Sequence, residues 1–282
     1  MCKSSCPCVR RFGIDLLMPN NNPIGIFDSG IGGLTVFKEV SRMLPFEDII
    51  YLGDTARVPY GIRSAETVAR YSFECADFLM GKRIKVLVVA CNTVSAISLN
   101  EIRERVPVPV IGVIEPGAKA AVSATETGRV GVIGTEATIR SGAYSRAIKA
   151  IDASVEVYGL ACPLFVPLVE EGWTDGEIAK LVAERYLSGL RTFEIDTIVL
   201  GCTHYPLLKG VIQDVMQDIK IIDSAVETGK VLKAVLEEGP LLRESGESAV
   251  HKFYVTDSTE KFTSVGERFL GSKISEIERV MF

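Results

Sequence analysis

Three observations in this sequence predict an α/β protein built on parallel sheets. Short β-rich apolar runs alternate with helical patterns nearly to the end of the chain. Several runs, VLVVA from Val86 and TIVLG from Thr197 among them, are apolar without alternation, as strands covered on both faces are. Two stretches also echo each other: KVLVVACNT and DTIVLGCTH each run from an apolar strand into a cysteine and a polar residue. The echo is too short to establish a duplication. It does set two thiols at the carboxyl ends of strands, where open parallel sheets bind ligands.

Taken in order, the expected strands are Pro23–Phe27, Asp48–Asp54, Lys85–Cys91, Val108–Ile114, Arg129–Thr135, Val155–Cys162, Asp196–Cys202 and Lys220–Asp223, with a further one beyond His251. A helix is expected from Leu34. Another is expected over Glu66–Met80, where Val68, Tyr71, Cys75 and Phe78 recur at steps of three and four and mark one buried face. A break after Glu115-Pro116 and a return near Ser224 divide the chain. Residues 23–115 with 225–282 form a first α/β domain, residues 116–224 form a second, and residues 1–22 read as a disordered leader.

Composition bounds the function. With 282 residues, 47% hydrophobic and 24% charged, the chain has enough apolar material for a sizeable core. Its net charge of -5 and lack of basic runs argue against a nucleic-acid surface. No apolar stretch reaches the roughly 18–20 residues of a membrane span, and the N-terminus does not read as a secretory signal. Seven cysteines, at 2, 6, 8, 75, 91, 162 and 202, form no disulfide framework, so reduced thiols in the cytoplasm are expected.

The chemistry-bearing segments follow from local patterns. In PIGIFDSGIGGLT a strand ends at Asp28 and Ser29, and glycines lead into a helix start whose N–H groups can face an anion. Thr35 stands where a dinucleotide fingerprint needs glycine. An ordinary strand–helix turn and an anion site both remain open there. GDTARVPYG, with Pro59, Tyr60 and Gly61, reads either as a polar loop or as one that covers a substrate carboxylate. Cys75 and Cys162 read as small buried hydrophobes. Cys91 and Cys202 differ, each standing at a strand tip near a helix start, which lowers a thiol pKa. Asn92, Thr93, Thr203 and His204 beside them can hydrogen-bond a ligand. His204, two residues past Cys202, is a candidate proton partner, whereas His251 is assigned no role. Glu170 and Glu171 are read as paired carboxylates at a helix start, and one of them can reach the Cys202 side. The spacings of a common zinc site are lacking, so no metal is assigned, and Cys2, Cys6 and Cys8 are left to the leader.

FDSGIGGLT, GDTARVPYG, ACNTVSA, FVPLVEEG and GCTHYPLL stand in this order over residues 23–282, and the chain thereby resembles the glutamate racemases of the aspartate/glutamate racemase family. Aspartate racemases share the two-cysteine logic but look less similar around DTARVPYG. The resemblance implies two similar doubly wound parallel-sheet domains related by pseudo-twofold symmetry, with glutamate in the cleft between them. It implies reversible conversion of L- to D-glutamate for peptidoglycan, without pyridoxal phosphate or any other cofactor or metal. Residue by residue, Cys91 and Cys202 match the catalytic thiols, with Asp28 assisting Cys91, and His204 and Glu170 assisting Cys202. Asp28, Ser29, Pro59, Tyr60, Gly61, Asn92, Thr93, Thr135, Thr203 and His204 are the substrate-binding set. The expected partner is the small-molecule substrate, without nucleic acid or membrane, and a homodimer is compatible with the pattern.

Two opposed thiols suit a racemase because the Cα proton leaves one face and its replacement arrives on the other. A free thiol of pKa about 8.5 is only a few per cent ionised at neutral pH, and half ionisation needs a shift of about 1.5 units. A helix N-terminus or a protonated histidine can supply it. Ser29, Asn92 and Thr203 are suited to hold the developing charge. Two other readings predict different behaviour. A hydrolase or amidotransferase using Cys202 and His204 would form a covalent intermediate and not need Cys91. A carboxylate- or nucleotide-binding protein would bind without exchange at Cα.

Overall fold

The apolar runs become ten strands among the residues described by the computed structural model, which are 21–243 and 248–282. The strands are β1 (Ile24–Asp28), β2 (Ile49–Gly53), β3 (Val86–Val89), β4 (Val110–Gly112), β5 (Arg129–Gly134), β6 (Glu156–Ala161), β7 (Thr197–Gly201), β8 (Lys220–Asp223), β9 (His251–Val255) and β10 (Ile277–Arg279). The first eight fall within a few residues of their expected places. The ninth takes in His251 itself. The last is three residues long, largely exposed and without an apolar pattern. The expected leader falls outside the described residues over 1–20, with Cys2, Cys6 and Cys8, and Asn21 and Asn22 form a turn before β1.

The strands assemble into two sheets, ordered β10-β9-β2-β1-β3-β4 and β6-β5-β7-β8. Every pairing is parallel. The four strands β2-β1-β3-β4 of the first sheet repeat the order of the whole second sheet. Each sheet therefore changes direction at an equivalent point, between β1 and β3 in one and between β5 and β7 in the other. A ligand crevice opens at such points, beyond the carboxyl ends of the strands. The central strands β1, β3 and β7 are wholly buried, which is why they read as unbroken apolar runs.

Helices carry the chain between the sheets. Ile114–Ala124 leads from β4 toward β5, and Ser224–Glu238 leads from β8 back toward β9; the two pack on each other. The break expected after Glu115-Pro116 falls within the first of these helices, which joins the two sheets. Pro116 lies in the first turn of a helix, where a missing N–H costs no hydrogen bond. The helix expected at Glu66–Met80 runs over Ala65–Gly81, capped by the Ser64 hydroxyl, which accepts from the Thr67 N–H at 3.3 Å. Val68 and Cys75 are buried on it, while Tyr71 and Phe78 are partly buried. The helix expected from Leu34 begins there and ends at Met43.

Candidate active site

The two switch points face one site. Asp28 and Ser29 end β1, Cys91 follows β3, Thr135 follows β5 and Cys202 follows β7. The seam between the two units is drawn tight by specific contacts. Thr35 Oγ1 donates to the Thr203 carbonyl at 2.9 Å. The Thr93 hydroxyl lies 3.0 Å from that of Thr135 and 3.3 Å from that of Thr138. A Cβ on Gly32 would collide with Thr203 and His204, so glycine is required for this approach. A Cβ on Gly61 would stand 2.9 Å from Thr135 Cβ.

Asp28 is 1% exposed. The glycine turn does bind an anion, but that anion is the chain's own: the Gly30 N–H donates to Asp28 Oδ2 at 3.0 Å. Burial raises the Asp28 carboxyl above its usual range, while the His204 charge and the N–H groups of Gly33, Gly30 and Ser29 pull the other way. Its second oxygen, Oδ1, is buried without a hydrogen-bond partner. Asn92 is its counterpart as a donor. Tyr144 Oη donates to Asn92 Oδ1 at 2.7 Å, and the amide Nδ2 is buried without a partner. The site thus holds one unsatisfied acceptor and one unsatisfied donor, matching the ammonium and carboxylate of an amino acid.

The two thiols sit in different fields. Cys91 Sγ approaches Ser29 Oγ at 3.4 Å. Burial first, and then the Asp28 charge, push the Cys91 thiol up to about 12. The helix start expected to ease ionisation is present as the Val94 N–H, but these two effects outweigh it. Cys202 Sγ lies 3.8 Å from His204 Nδ1, and His204 Nε2 lies 3.1 Å from Glu170 Oε1. Burial disfavours the imidazolium, yet hydrogen bonds and charge from Cys202 and Glu170 hold its pKa at about 10. The same contact to His204 keeps the Glu170 carboxyl below its usual value. Glu170 ends the helix Phe165–Glu170 rather than starting one as expected. Glu171, at the helix cap, is exposed.

In the GDTARVPYG loop, Tyr60 is buried and its hydroxyl donates to Asp54. The phenol expected to meet a carboxylate is thus already engaged, leaving the Tyr60–Gly61 backbone for that contact. Pro59 is exposed on the loop. Asp54 further accepts from Arg57 Nε at 2.7 Å and Thr256 Oγ1 at 2.8 Å, which ties the loop to the end of β9. The sequence reading missed Asp54, Thr138 and Tyr144. Only Thr138 left a signal: Thr135 caps the helix Glu136–Ser141 by accepting from the Thr138 N–H, a spacing that brings two threonines together.

Cys91, Asn92, Thr93, Cys202, Thr203 and His204 are each 6% exposed or less, and Cys75 and Cys162 are buried as expected. The site is closed in this conformation. Among the described residues no group of three or more His, Cys, Asp or Glu side chains could hold a metal ion.

Two equivalent switch points with one thiol at each, together with an unsatisfied buried acceptor and an unsatisfied buried donor, describe an enzyme that works on both faces of one amino-acid carbon. The chain belongs to the Asp/Glu/hydantoin racemase family, whose profile matches residues 24–228. Within that family its similar relatives are glutamate racemases. That of Geobacter metallireducens is 57% identical over 258 residues, covering 91% of this chain and 96% of the relative. The structure of glutamate racemase from Francisella tularensis in complex with D-glutamate is similar at a TM-score of 0.88 and 43% identity, covering 93% of this chain and 98% of that one. The Bacillus anthracis RacE1 isoform is similar at a TM-score of 0.89 and 42% identity, with the same coverage.

Proposed function

We propose that this chain interconverts L- and D-glutamate by proton transfer at Cα between Cys91 and Cys202, supplying D-glutamate for peptidoglycan. The observation that carries the reading is the pairing of thiols at equivalent strand tips, around an unsatisfied buried acceptor on Asp28 and an unsatisfied buried donor on Asn92. The choice of glutamate over aspartate rests on the relatives.

One thiolate takes the Cα proton, and the C–H electron pair moves into the carboxylate as an enolate. The opposite thiol then gives its proton to the other face of Cα, and the electron pair returns. Proton and charge balance, and the two sulfurs exchange states. His204, held cationic by its contacts with Cys202 and Glu170, stands on the Cys202 side, while burial and the Asp28 charge push the Cys91 thiol up. Asp28 Oδ1 takes the ammonium and Asn92 Nδ2 the carboxylate, where a fixed donor strengthens as charge builds. Substrate entry requires the seam to part at the Thr35–Thr203 and Thr93–Thr135 contacts, and reclosure excludes water. The four described cysteines are free, which fits a reducing cytoplasm. Among the described residues no helix is long and apolar enough to cross a membrane.

The test is incubation with L-glutamate in deuterium oxide, following optical rotation and Cα proton loss in wild type, Cys91→Ser and Cys202→Ser. Loss of rotation with deuterium entering Cα, impaired in both variants, supports two-base racemisation. Folded wild type that exchanges no Cα proton of glutamate overturns the reading, and aspartate is then the next substrate to try.

A further inference from the structure

Asn92 and Tyr144 meet across the seam. Asn92 opens the helix Asn92–Ile97 beside Cys91, whereas Tyr144 lies on Ala143–Ile151 in the other unit. Both are buried, at 2% and 3% exposure. A carboxamide presents an acceptor at one end and a donor at the other, so the partner of one end decides what the other offers a ligand. Here the Tyr144 hydroxyl donates to Oδ1 at 2.7 Å and Nδ2 is the unsatisfied end. A buried N–H without an acceptor is costly, and such atoms mark places where a ligand completes the structure.

We infer that Tyr144 is a positioning residue of the reaction: from the opposite unit it donates to Asn92 Oδ1 and so turns Nδ2 toward the substrate carboxylate. The inference rests on the racemase reading above. Tyr144 is itself held in place. A Cβ on Gly201, at the tip of β7 beside Cys202, would stand 3.1 Å from its ring, and one on Gly117 would stand 3.3 Å away. Burial raises the phenol above its usual pKa, so the proton needed for donation stays on through neutral pH. The neighbouring Ser224 directs its own proton to the Leu200 carbonyl at 3.1 Å. Because the donor comes from the facing unit, the amide is oriented when the cleft is closed and loses that orientation when it opens. The aimed donor therefore coincides with the state in which charge develops at the carboxylate, and its loss reports on kcat more than on KM.

The experiment is steady-state kinetics with L- and with D-glutamate on wild type, Tyr144→Phe, Asn92→Ala and the double variant. Tyr144→Phe keeps the ring that packs on Gly117 and Gly201, and its unfolding midpoint serves as the folding control. Expected is a fall in kcat of about tenfold in both directions with KM changed by less than about threefold. In the double variant, kcat should lie within about twofold of Asn92→Ala alone, since the hydroxyl acts only through the amide. A Tyr144→Phe enzyme within about twofold of wild type overturns the inference, as do losses that multiply in the double variant. Wild type that fails to racemise glutamate overturns the underlying reading instead, so the two failures are distinguishable.

Discussion

Cys91 and Cys202 occupy matched places in the two sheets, yet their surroundings have opposite character. Cys91 lies beside a hydroxyl and a buried carboxylate; burial and the carboxylate charge push its thiol up, against the Ser29 hydrogen bond. Cys202 lies beside an imidazole that Glu170 holds cationic from its other side. The repeated strand order sets where the sulfurs stand. The residues at the strand ends set their charge: Asp28 at the end of β1 supplies an anion to one thiol, and His204 beyond β7 supplies a cation to the other. A reaction nearly symmetric in energy would thus be served by a site symmetric in position and asymmetric in field.

The sharpest way to break this comparison is to remove each sulfur. Cys91→Ser and Cys202→Ser should each lower kcat by about 10³-fold or more, because a hydroxyl is far weaker as both acid and base at neutral pH. Their residual Cα exchange should differ between the enantiomers, since the two sulfurs stand in unlike fields and each serves one face of Cα. Deuterium incorporation from each enantiomer, followed by NMR, checks this. Equal residual exchange from both enantiomers in both variants would mean the two sides are not distinguished before substrate binds.

The cation comes next. His204→Asn should lower kcat by about 10²-fold, the usual worth of a positioned proton-transfer group. It also carries a stability signature. The His204 pKa is raised from 6.5 to about 10, so its stabilising contribution is full below about 6.5 and is lost as pH rises through about 10. The unfolding free-energy gap between wild type and His204→Asn should therefore narrow between those limits in urea titrations at several pH values. A gap that stays constant or widens would show that the imidazolium is not held by Cys202 and Glu170.

These predictions draw unequally on what the sequence displays. VLVVA and TIVLG are legible as buried central strands because every position faces protein, and the cysteines that follow inherit their place from them. The loop residues Asp28, Asn92 and His204 are legible as candidates because each adjoins a strand tip. Pro116 does not interrupt its segment, since the chain tolerates proline in the first turn of a helix, and Glu170 closes a helix rather than opening one. β10 has three partly exposed residues and too little apolar surface to leave a pattern. Tyr144 acts through a partner 52 residues away, Asn92, and Asp54 joins its own loop to Thr256, 202 residues on, and no local spacing encodes such pairings.

The choice between the adjacent carboxylates tests how far the relay extends. Glu170 reaches His204 Nε2 at 3.1 Å, whereas Glu171 is exposed at the helix cap. Glu170→Gln should lower kcat by about tenfold and lower the pKa of His204, as one neutral partner replaces a charged one. Glu171→Gln should stay within about twofold of wild type, as surface changes usually do. Two-dimensional NMR of the imidazole against pH reads the first effect directly. An unchanged His204 titration in Glu170→Gln would leave the cation to Cys202 alone.

A smaller loss than that of Glu170→Gln is expected from a contact outside that relay. Arg268, on the helix Thr259–Leu270 that follows the return to the first sheet, donates to the Glu170 carbonyl at 2.5 Å. Gly172, at φ 82°, leaves room for the guanidinium where a Cβ would collide with it. Next along, Phe269 meets the His204 ring edge-on at a centroid distance of 5.5 Å. The Cys202 side is thus steadied from across the seam by a helix of the other unit. Arg268 is exposed, so solvent screens its interaction, and Arg268→Ala should lower kcat by only about two- to threefold. Arg268→Lys should restore part of that loss, because an ammonium can still reach a carbonyl but lacks the planar fork. An Arg268→Ala enzyme indistinguishable from wild type would show that donation to the Glu170 carbonyl does not steady the relay.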